Sequence, residues 1–352
     1  MSYYPLLLNA ISIEKIWGGR NLEKLFAKNL PPNQLIGETW EAWEGCEIAN
    51  GNYAGQQLER VVERDPVGFL GTRDKRFPLL FKFIDAQKDL SVQVHPDDRA
   101  AQKLENYPFG KTEAWYILAA EPNAHLFVGF QRDTTAAQIR AAIANQSLVD
   151  LLQPVPVQRG DVVFVPAGTV HAIGKGIVLA EIQENSDITY RLYDWSRRGA
   201  DRELHIEQSL RVAHLNAFGA AKIPTLAIKT DRGTRRFLVA CRYFALELID
   251  LQDVFRGETS GKFQIISVIQ GAVEIRYGKD RVKLELGQTA ILPAALEKFE
   301  LAPVVDRAII LRAYTPNLRT DVIAPLKKAG YAREEIARLG GSMIAQNDLA
   351  KT

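Results

Sequence analysis

Residues 160–194 read GDVVFVPAGTVHAIGKGIVLAEIQENSDITYRLYD. A tight turn at Gly160-Asp161 precedes an apolar run, Val162 to Val165, and Pro166 to Thr169 makes a bend. His171 follows that bend. After a Gly174 to Gly176 turn, a second apolar run extends from Ile177 to Ile182. Short apolar runs rich in β-branched residues and bounded by glycine and proline predict strands. A histidine at the bend between two such strands suits a metal ligand on a β-barrel wall. Behind the second strand, Gln183 to Arg191 is densely polar, which predicts the lining of a pocket rather than a solvated loop.

Working outward, the strands around this stretch carry further polar groups at fixed spacing. PLLFKFIDA, from Pro78 to Ala86, and DLSVQVHPDD, from Asp89 to Asp98, are the next strand signals upstream. In the second, Leu90, Val92 and Val94 alternate with Ser91, Gln93 and His95, so period two places Gln93 and His95 on one face. Gly110-Lys111-Thr112-Glu113 opens an apolar strand from Ala114 to Leu118, with Lys111 and Glu113 on a shared side. Thr134 and Thr135 are set to cap a helix over Ala136 to Ala144, and a second short helix is expected near Leu148 to Leu152.

Nearer the N-terminus, Ile11 to Phe26 has helix-like spacing broken at Gly18-Gly19, which predicts two short pieces. GETWEAW, from Gly37 to Trp43, predicts a short strand with one buried face. Leu58 to Glu63 predicts a short helix stopped by Asp65-Pro66. Downstream, Arg202 to Asn216 has helical spacing, and Ala217 to Thr234 is loop-like and marks a domain boundary. Residues 235–315 read as short strands with turns at Arg256-Gly257, Gln270-Gly271, Tyr277-Gly278 and Leu286-Gly287.

This second region repeats the first. GQTAILPAA from Gly287 matches GDVVFVPAG from Gly160 in glycine, proline and apolar positions, at an offset of 127 (287 − 160 and 293 − 166). Lys298 then stands where His171 stands, and Gln264, in GKFQ, stands where Glu113 stands. The copy keeps the turns and strands and drops the ligands, which predicts a mainly β chain of two related barrels, of which the first alone binds metal. The expected division is a metal-binding domain over 1–225, a degenerate domain over 226–316 and a helical tail over 317–352. The tail segment GYAREEIARLGG has some flavour of a helix-turn-helix, but a helical appendage packed on a barrel is the commoner use.

Bulk composition narrows the class. The 352 residues are 47% hydrophobic and 24% charged, ordinary for a globular protein, with a net charge of +2 spread along the chain. Neither nucleic acid nor membrane is implied as a partner. The N-terminal residues lack the basic region and apolar core of a secretory signal, so a cytoplasmic protein is expected. Cys46 and Cys241 are far apart and read as reduced, buried thiols. Oligomeric state is not encoded in any of these features, and a monomer is compatible with them.

Gln93, His95, Glu113 and His171 together offer two imidazoles, a carboxylate and an amide oxygen, enough for one divalent ion such as Zn²⁺ with a position left for substrate. Each alone has a bland explanation as a satisfied polar side chain; the combination points to a metal. Glu181, inside an apolar strand, is the expected proton carrier, and Arg191 is expected to stabilise an oxyanion or hold an anionic group unless Asp187 or Asp194 claims it. Lys111 adds charge beside Glu113. These parts suit chemistry on a hydroxylated anion without naming it.

Four linked motifs go further. QVHPDD from Gln93, GKTEAWYIL from Gly110, VPAGTVHAIGKG from Val165 and EIQENSDITYRLYD from Glu181 closely resemble type I phosphomannose isomerases, nearest the short bacterial form. KIWGGRNL from Lys15, IGETWE from Ile36 and LHIEQSL from Leu204 add to the likeness. The resemblance implies a bicupin, jelly-roll-like, whose first barrel interconverts mannose 6-phosphate and fructose 6-phosphate with one zinc ion. It implies His95, Glu113 and His171 as ligands, Gln93 at the fourth ligand position, Arg191 as the active-site arginine, and Lys111 and Glu181 in the pocket. For the phosphate, Lys111, Arg20 and Arg198 are candidate cations. Trp43 stands where the family usually has serine, and the tail beyond Asn317 exceeds the usual short form. A non-catalytic sugar-phosphate-binding bicupin and a metal-dependent oxygenase or other sugar isomerase are the readings to test against it.

Overall fold

Val162–Val165 forms the strand its composition predicts, and both of its faces are covered. In the computed structural model, which describes residues 3–197, 202–230, 232–343 and 346–352, the chain is mainly β. Its antiparallel strands lie in sheets of eight, six, five and four. Period two sorts the side chains. Val163 and Val165 join a core with Trp115, Ile117, Leu126, Val128 and Leu179, between the six- and five-stranded sheets. Val162 and Phe164 join Phe81, Ala114 and Ile182 in a core shared with Leu246, Ile265, Ile291 and Leu311 of the eight-stranded sheet. A third core, including Ile249, Ile266, Val273 and Leu301, fills the space against the four-stranded sheet. Val162–Val165, buried at every position, is apolar throughout, which is why its run shows no polar alternation.

The repeat read in the sequence has the same register in space. Val165 pairs with Glu113, and Leu292, 127 residues further on, pairs with Gln264. Strand Val162–Val165 becomes Thr289–Leu292, and the strand that opens at His171 corresponds to the one that opens at Lys298. Lys298 is exposed whereas His171 is buried. Gly160 and Gly287 both hold positive φ, +94° and +76°, a turn conformation that glycine adopts without strain.

Some expectations fail. Ile11–Gly19 is a strand, not a helical piece; only Asn21–Phe26 is helical. It lies at the sheet edge, and a Cβ on Gly18 would sit 2.4 Å from the backbone nitrogen of Gly37, so these glycines permit close pairing rather than break a helix. The Gly37–Ala42 segment is buried on both faces, not one. His171 starts a strand of its own, His171–Ile173, instead of sitting in a bend. Residues Leu226–Thr230 form a strand within the expected loop, and helix Ile206–Val212 covers only part of the expected helical region. Arg256-Gly257 lies inside strand Phe255–Glu258; a Cβ on Gly257 would meet the Phe299 ring at 2.4 Å, so glycine serves ring packing there. The helix over Ala136–Ala144 is as predicted, with Thr135 and Gln138 forming a capping box. In the tail, Val322, Leu326, Ile336 and Leu339 are buried against Leu226, Phe237 and Tyr314.

One buried charge cluster sets an acid limit on stability. Glu247 is fully buried and accepts from Arg235 (2.7 and 2.8 Å), Arg312 (2.5 Å) and the Tyr314 hydroxyl (2.6 Å). Burial pushes its carboxyl up, but Arg312 and Arg235 outweigh this and hold it near 2, below the ordinary 4.5. A folded value below the unfolded one stabilises fully above the ordinary value, and this is lost as pH falls through 4.5 toward 2. Thermal unfolding of wild type and Glu247→Gln from about pH 7 to about pH 3 is expected to show wild type more stable at neutrality and the two curves converging in acid.

Candidate metal centre and its cavity

The site lies at one end of the space between the six- and five-stranded sheets. Glu113 shares its face with Trp115 and Ile117, and Glu181 shares its face with Leu179, so period two turns both carboxylates into the same interlayer space. From the opposite sheet, Gln93 pairs with His171 across antiparallel strands, and the His95 ring lies 4.9 Å from that of His171. The connecting backbone is laced together. Lys111 donates its amide to the Pro96 carbonyl (2.9 Å), and Gly168 donates to that of His95 (2.8 Å). Gly168 has φ +85°, and a Cβ there would lie 2.4 Å from His214 Nε2, so the bend beside His95 requires glycine.

His95, Glu113 and His171 offer ligand atoms that all lie within 4.8 Å of one another, and all three residues are buried. Glu113 Oε1 is 3.2 Å from His171 Nε2 and its Oε2 is 3.7 Å from His95 Nε2. Each imidazole places Nδ1 2.9 Å from a backbone carbonyl, Ile188 for His95 and Thr169 for His171. Donation from Nδ1 fixes the tautomer and leaves the Nε2 lone pairs converging on Glu113. Burial, Lys111 and His171 push His95 well below its usual range, and burial takes His171 down to about 4 against the Thr169 bond. Both rings are therefore neutral near pH 7, the form that binds metal. Among the described residues His95 Nε2 has no hydrogen-bond partner, although it is buried. A buried lone pair left without a donor, beside a carboxylate and a second such lone pair, fits a cation. The Gln93 amide is 3.2 Å from His171 Nε2; turned over, it would present its oxygen to the same point.

Beyond the triad the charges alternate along one sheet. Lys111 Nζ is 3.2 Å from Glu113 and 3.8 Å from Glu181; Lys82 Nζ is 3.5 Å from Glu181 and 3.4 Å from Glu38; Lys15 is 3.5 Å from Glu38. Burial would raise Glu38, but Lys82 and Lys15 hold it near 2. Glu181 goes the other way. Burial and the Glu113 charge push it up to about 8 against Lys82 and Lys111. Two carboxylates in one site thus have opposed proton affinities, the arrangement that suits one of them to proton transfer.

These groups line a cavity of about 330 Å³, together with Gln93, Asp187, Arg191 and Arg202. Arg191 donates through Nη1 to the Glu203 carbonyl (3.1 Å), and Asp194, one of its expected partners, is bonded by Arg197 and Arg202. Arg20 is not part of this lining; its guanidinium is tied to Glu23 (2.7 Å) and the Pro31 carbonyl (2.6 Å). Arg198 lies outside the described residues. Tyr190 bonds Glu105 (2.7 Å), and Glu184 accepts from the Thr112 amide (2.8 Å). Sequence reasoning missed Lys82, Lys15 and Arg202. Lys82 did leave a trace, as the one lysine within the apolar run PLLFKFIDA.

Comparison with known proteins places the chain among sugar-phosphate isomerases by family. Residues 6–124 match the family described as phosphomannose isomerase type I, catalytic domain, and residues 234–310 match mannose-6-phosphate isomerase, cupin domain. The mannose-6-phosphate isomerase ManA of Bacillus subtilis (strain 168) is 36% identical over 86% of this chain and 96% of its own length. The mannose-6-phosphate isomerase of Streptococcus mutans is 34% identical over 84% of this chain and 94% of its own. The crystal structure of the Bacillus subtilis mannose 6-phosphate isomerase superimposes with a TM-score of 0.80 at 31% identity, covering 88% of this chain and 99% of that one.

Proposed function

The chain belongs to the type I phosphomannose isomerase family, and on that footing we propose that it interconverts mannose 6-phosphate and fructose 6-phosphate by zinc-dependent aldose–ketose isomerisation. We read its organisation as a bicupin: a metal-bearing barrel domain over 1–225, a barrel domain without ligands over 226–316 and a helical tail over 317–352, acting in the cytoplasm. His95, Glu113 and His171 would hold one zinc ion, with Gln93 as fourth ligand. Zinc bound there supplies Lewis-acid polarisation of the substrate oxygens and offsets negative charge developing on them.

The chain's own residues carry the rest. Glu181, as carboxylate, takes the C2 proton of the open-chain aldose, giving a cis-enediol(ate), and returns a proton to C1, while a hydroxyl proton moves between the two oxygens. Its raised proton affinity suits both directions near neutral pH. Lys111, between Glu113 and Glu181, holds Glu181 in place and adds positive potential beside the reacting carbons. Arg191 and Arg202 on the cavity wall are the cations for the phosphate and the developing charge.

The observation carrying this reading is that Glu113 belongs both to the cluster with the neutral imidazoles His95 and His171 and to the lining of the cavity that holds Glu181. Its test is metal removal. Activity with mannose 6-phosphate is expected to vanish on chelation and to return on adding zinc. Zinc-reconstituted protein that binds the substrate without turning it over would support the non-catalytic alternative instead.

A further inference from the structure

The C-terminal cupin domain repeats the first site's strands position by position, and its charges are inverted. In the six-stranded sheet Glu181 pairs with both Trp115 and Lys82; in the eight-stranded sheet Arg312 pairs with both Ile266 and Glu247. Glu38 stands opposite Ile84 two residues before the register shift that follows Trp40, and Arg235 stands opposite Ile249 two residues before the equivalent shift that follows Phe237. Acid–lysine–acid in the first site, Glu38, Lys82 and Glu181, therefore becomes arginine–acid–arginine in the second, Arg235, Glu247 and Arg312. The metal-ligand positions change with them. Gln93, paired with His171, corresponds to Glu258, paired with Lys298, and Glu113 corresponds to Gln264. Lys111 alone keeps its charge, as Lys262.

Arg235, Glu258, Lys262, Gln264 and Arg312 line a second cavity of about 290 Å³, comparable to the first. Its lining carries four cations, Arg235, Arg256, Lys262 and Arg312, against the acids Glu258 and Asp321, with Glu247 bonded behind the arginines. Two polar groups there are incompletely used. Arg312 and Gln264 are each 6% exposed, yet Arg312 Nε and Gln264 Oε1 have no hydrogen-bond partner among the described residues. A buried N–H donor and a buried acceptor left open in one cationic cavity call for a ligand that accepts at one point and donates at another. At the mouth, Lys262 is bonded by Asp321 (2.8 Å), which the tail supplies, so the tail forms one wall of this cavity.

We propose that this second cavity is a metal-free binding site for a small phosphate monoester bearing hydroxyl groups. The phosphate oxygens meet Arg312, Arg235 and Lys262, displacing the Asp321 carboxylate from the lysine, and a ligand hydroxyl donates to Gln264.

Calorimetric titration of the zinc-loaded full chain with a hexose 6-phosphate tests this. Two ligands per chain are expected, and inorganic phosphate should displace the second while a free hexose should not. Lys262→Gln, at the mouth, should weaken the second site about tenfold or more and leave isomerase turnover unchanged; Gln264→Leu should do the same through the hydroxyl contact. A stoichiometry of one in wild type, unaltered second-site affinity in both folded variants, or equal binding of the free hexose would overturn the proposal.

Discussion

His171→Ala is expected to leave a folded protein with less than about a tenth of an equivalent of bound zinc and turnover lowered by on the order of a thousandfold or more. His171 is fully buried, its Nδ1 is committed to Thr169, and its Nε2 lies 3.2 Å from Glu113. Removing it leaves one imidazole, one carboxylate and the weakly donating Gln93 amide, too poor a set for tight binding at neutral pH. The fold is expected to survive, because the corresponding strand at Lys298 forms with no histidine at all. Metal analysis, a coupled isomerase assay and circular dichroism on one preparation check all three points. Full zinc occupancy in His171→Ala would remove this residue from the metal site.

Glu181→Gln should separate proton transfer from metal binding. Glutamine keeps the shape and cannot carry the proton, so turnover is expected to fall by about 10²–10⁴-fold while zinc content and substrate affinity hold. Its charge loss leaves Lys111 with Glu113 and Lys82 with Glu38, at 3.2 and 3.4 Å, so neither lysine is stranded. Metal content and steady-state kinetics on the same sample provide the check. Near-wild-type turnover would mean another group moves the proton.

How far the sequence discloses this depends on the range of each interaction. Val162–Val165 and the opening Ile177 to Ala180 of strand Ile177–Glu184 are legible because they are continuous apolar runs, buried throughout, that begin after glycine turns. Ile11–Gly19 is not, because an edge strand is only partly buried and its Gly18 is selected by a close approach to Gly37, a contact no local window contains. Gly257 misleads for the same reason, its partner being the ring of Phe299.

The metal triad is legible through strand-end spacing and the scarcity of histidine. Lys82 and Glu38 are not, since the alternation from Lys15 to Glu113 runs across five strands and a loop that come together only when the sheet forms. Arg20 had a plausible charge and motif but spends it on Glu23 and a loop carbonyl. The inverted charges of the second cavity are equally hidden. The offset of 127 holds only over the short stretch from Gly160 to His171, because connections of unequal length separate the other strands, whereas strand register matches Arg235, Glu247 and Arg312 to their counterparts directly.

The central claim is that the metal-loaded first cavity breaks the bond between C2 and hydrogen in mannose 6-phosphate. Following mannose 6-phosphate deuterated at C2 by NMR with the zinc-loaded chain tests it most directly. Fructose 6-phosphate should form, with the deuterium found at C1 or in solvent, and the process should stop on chelation. Substrate that binds and keeps its deuterium at C2 would contradict the account.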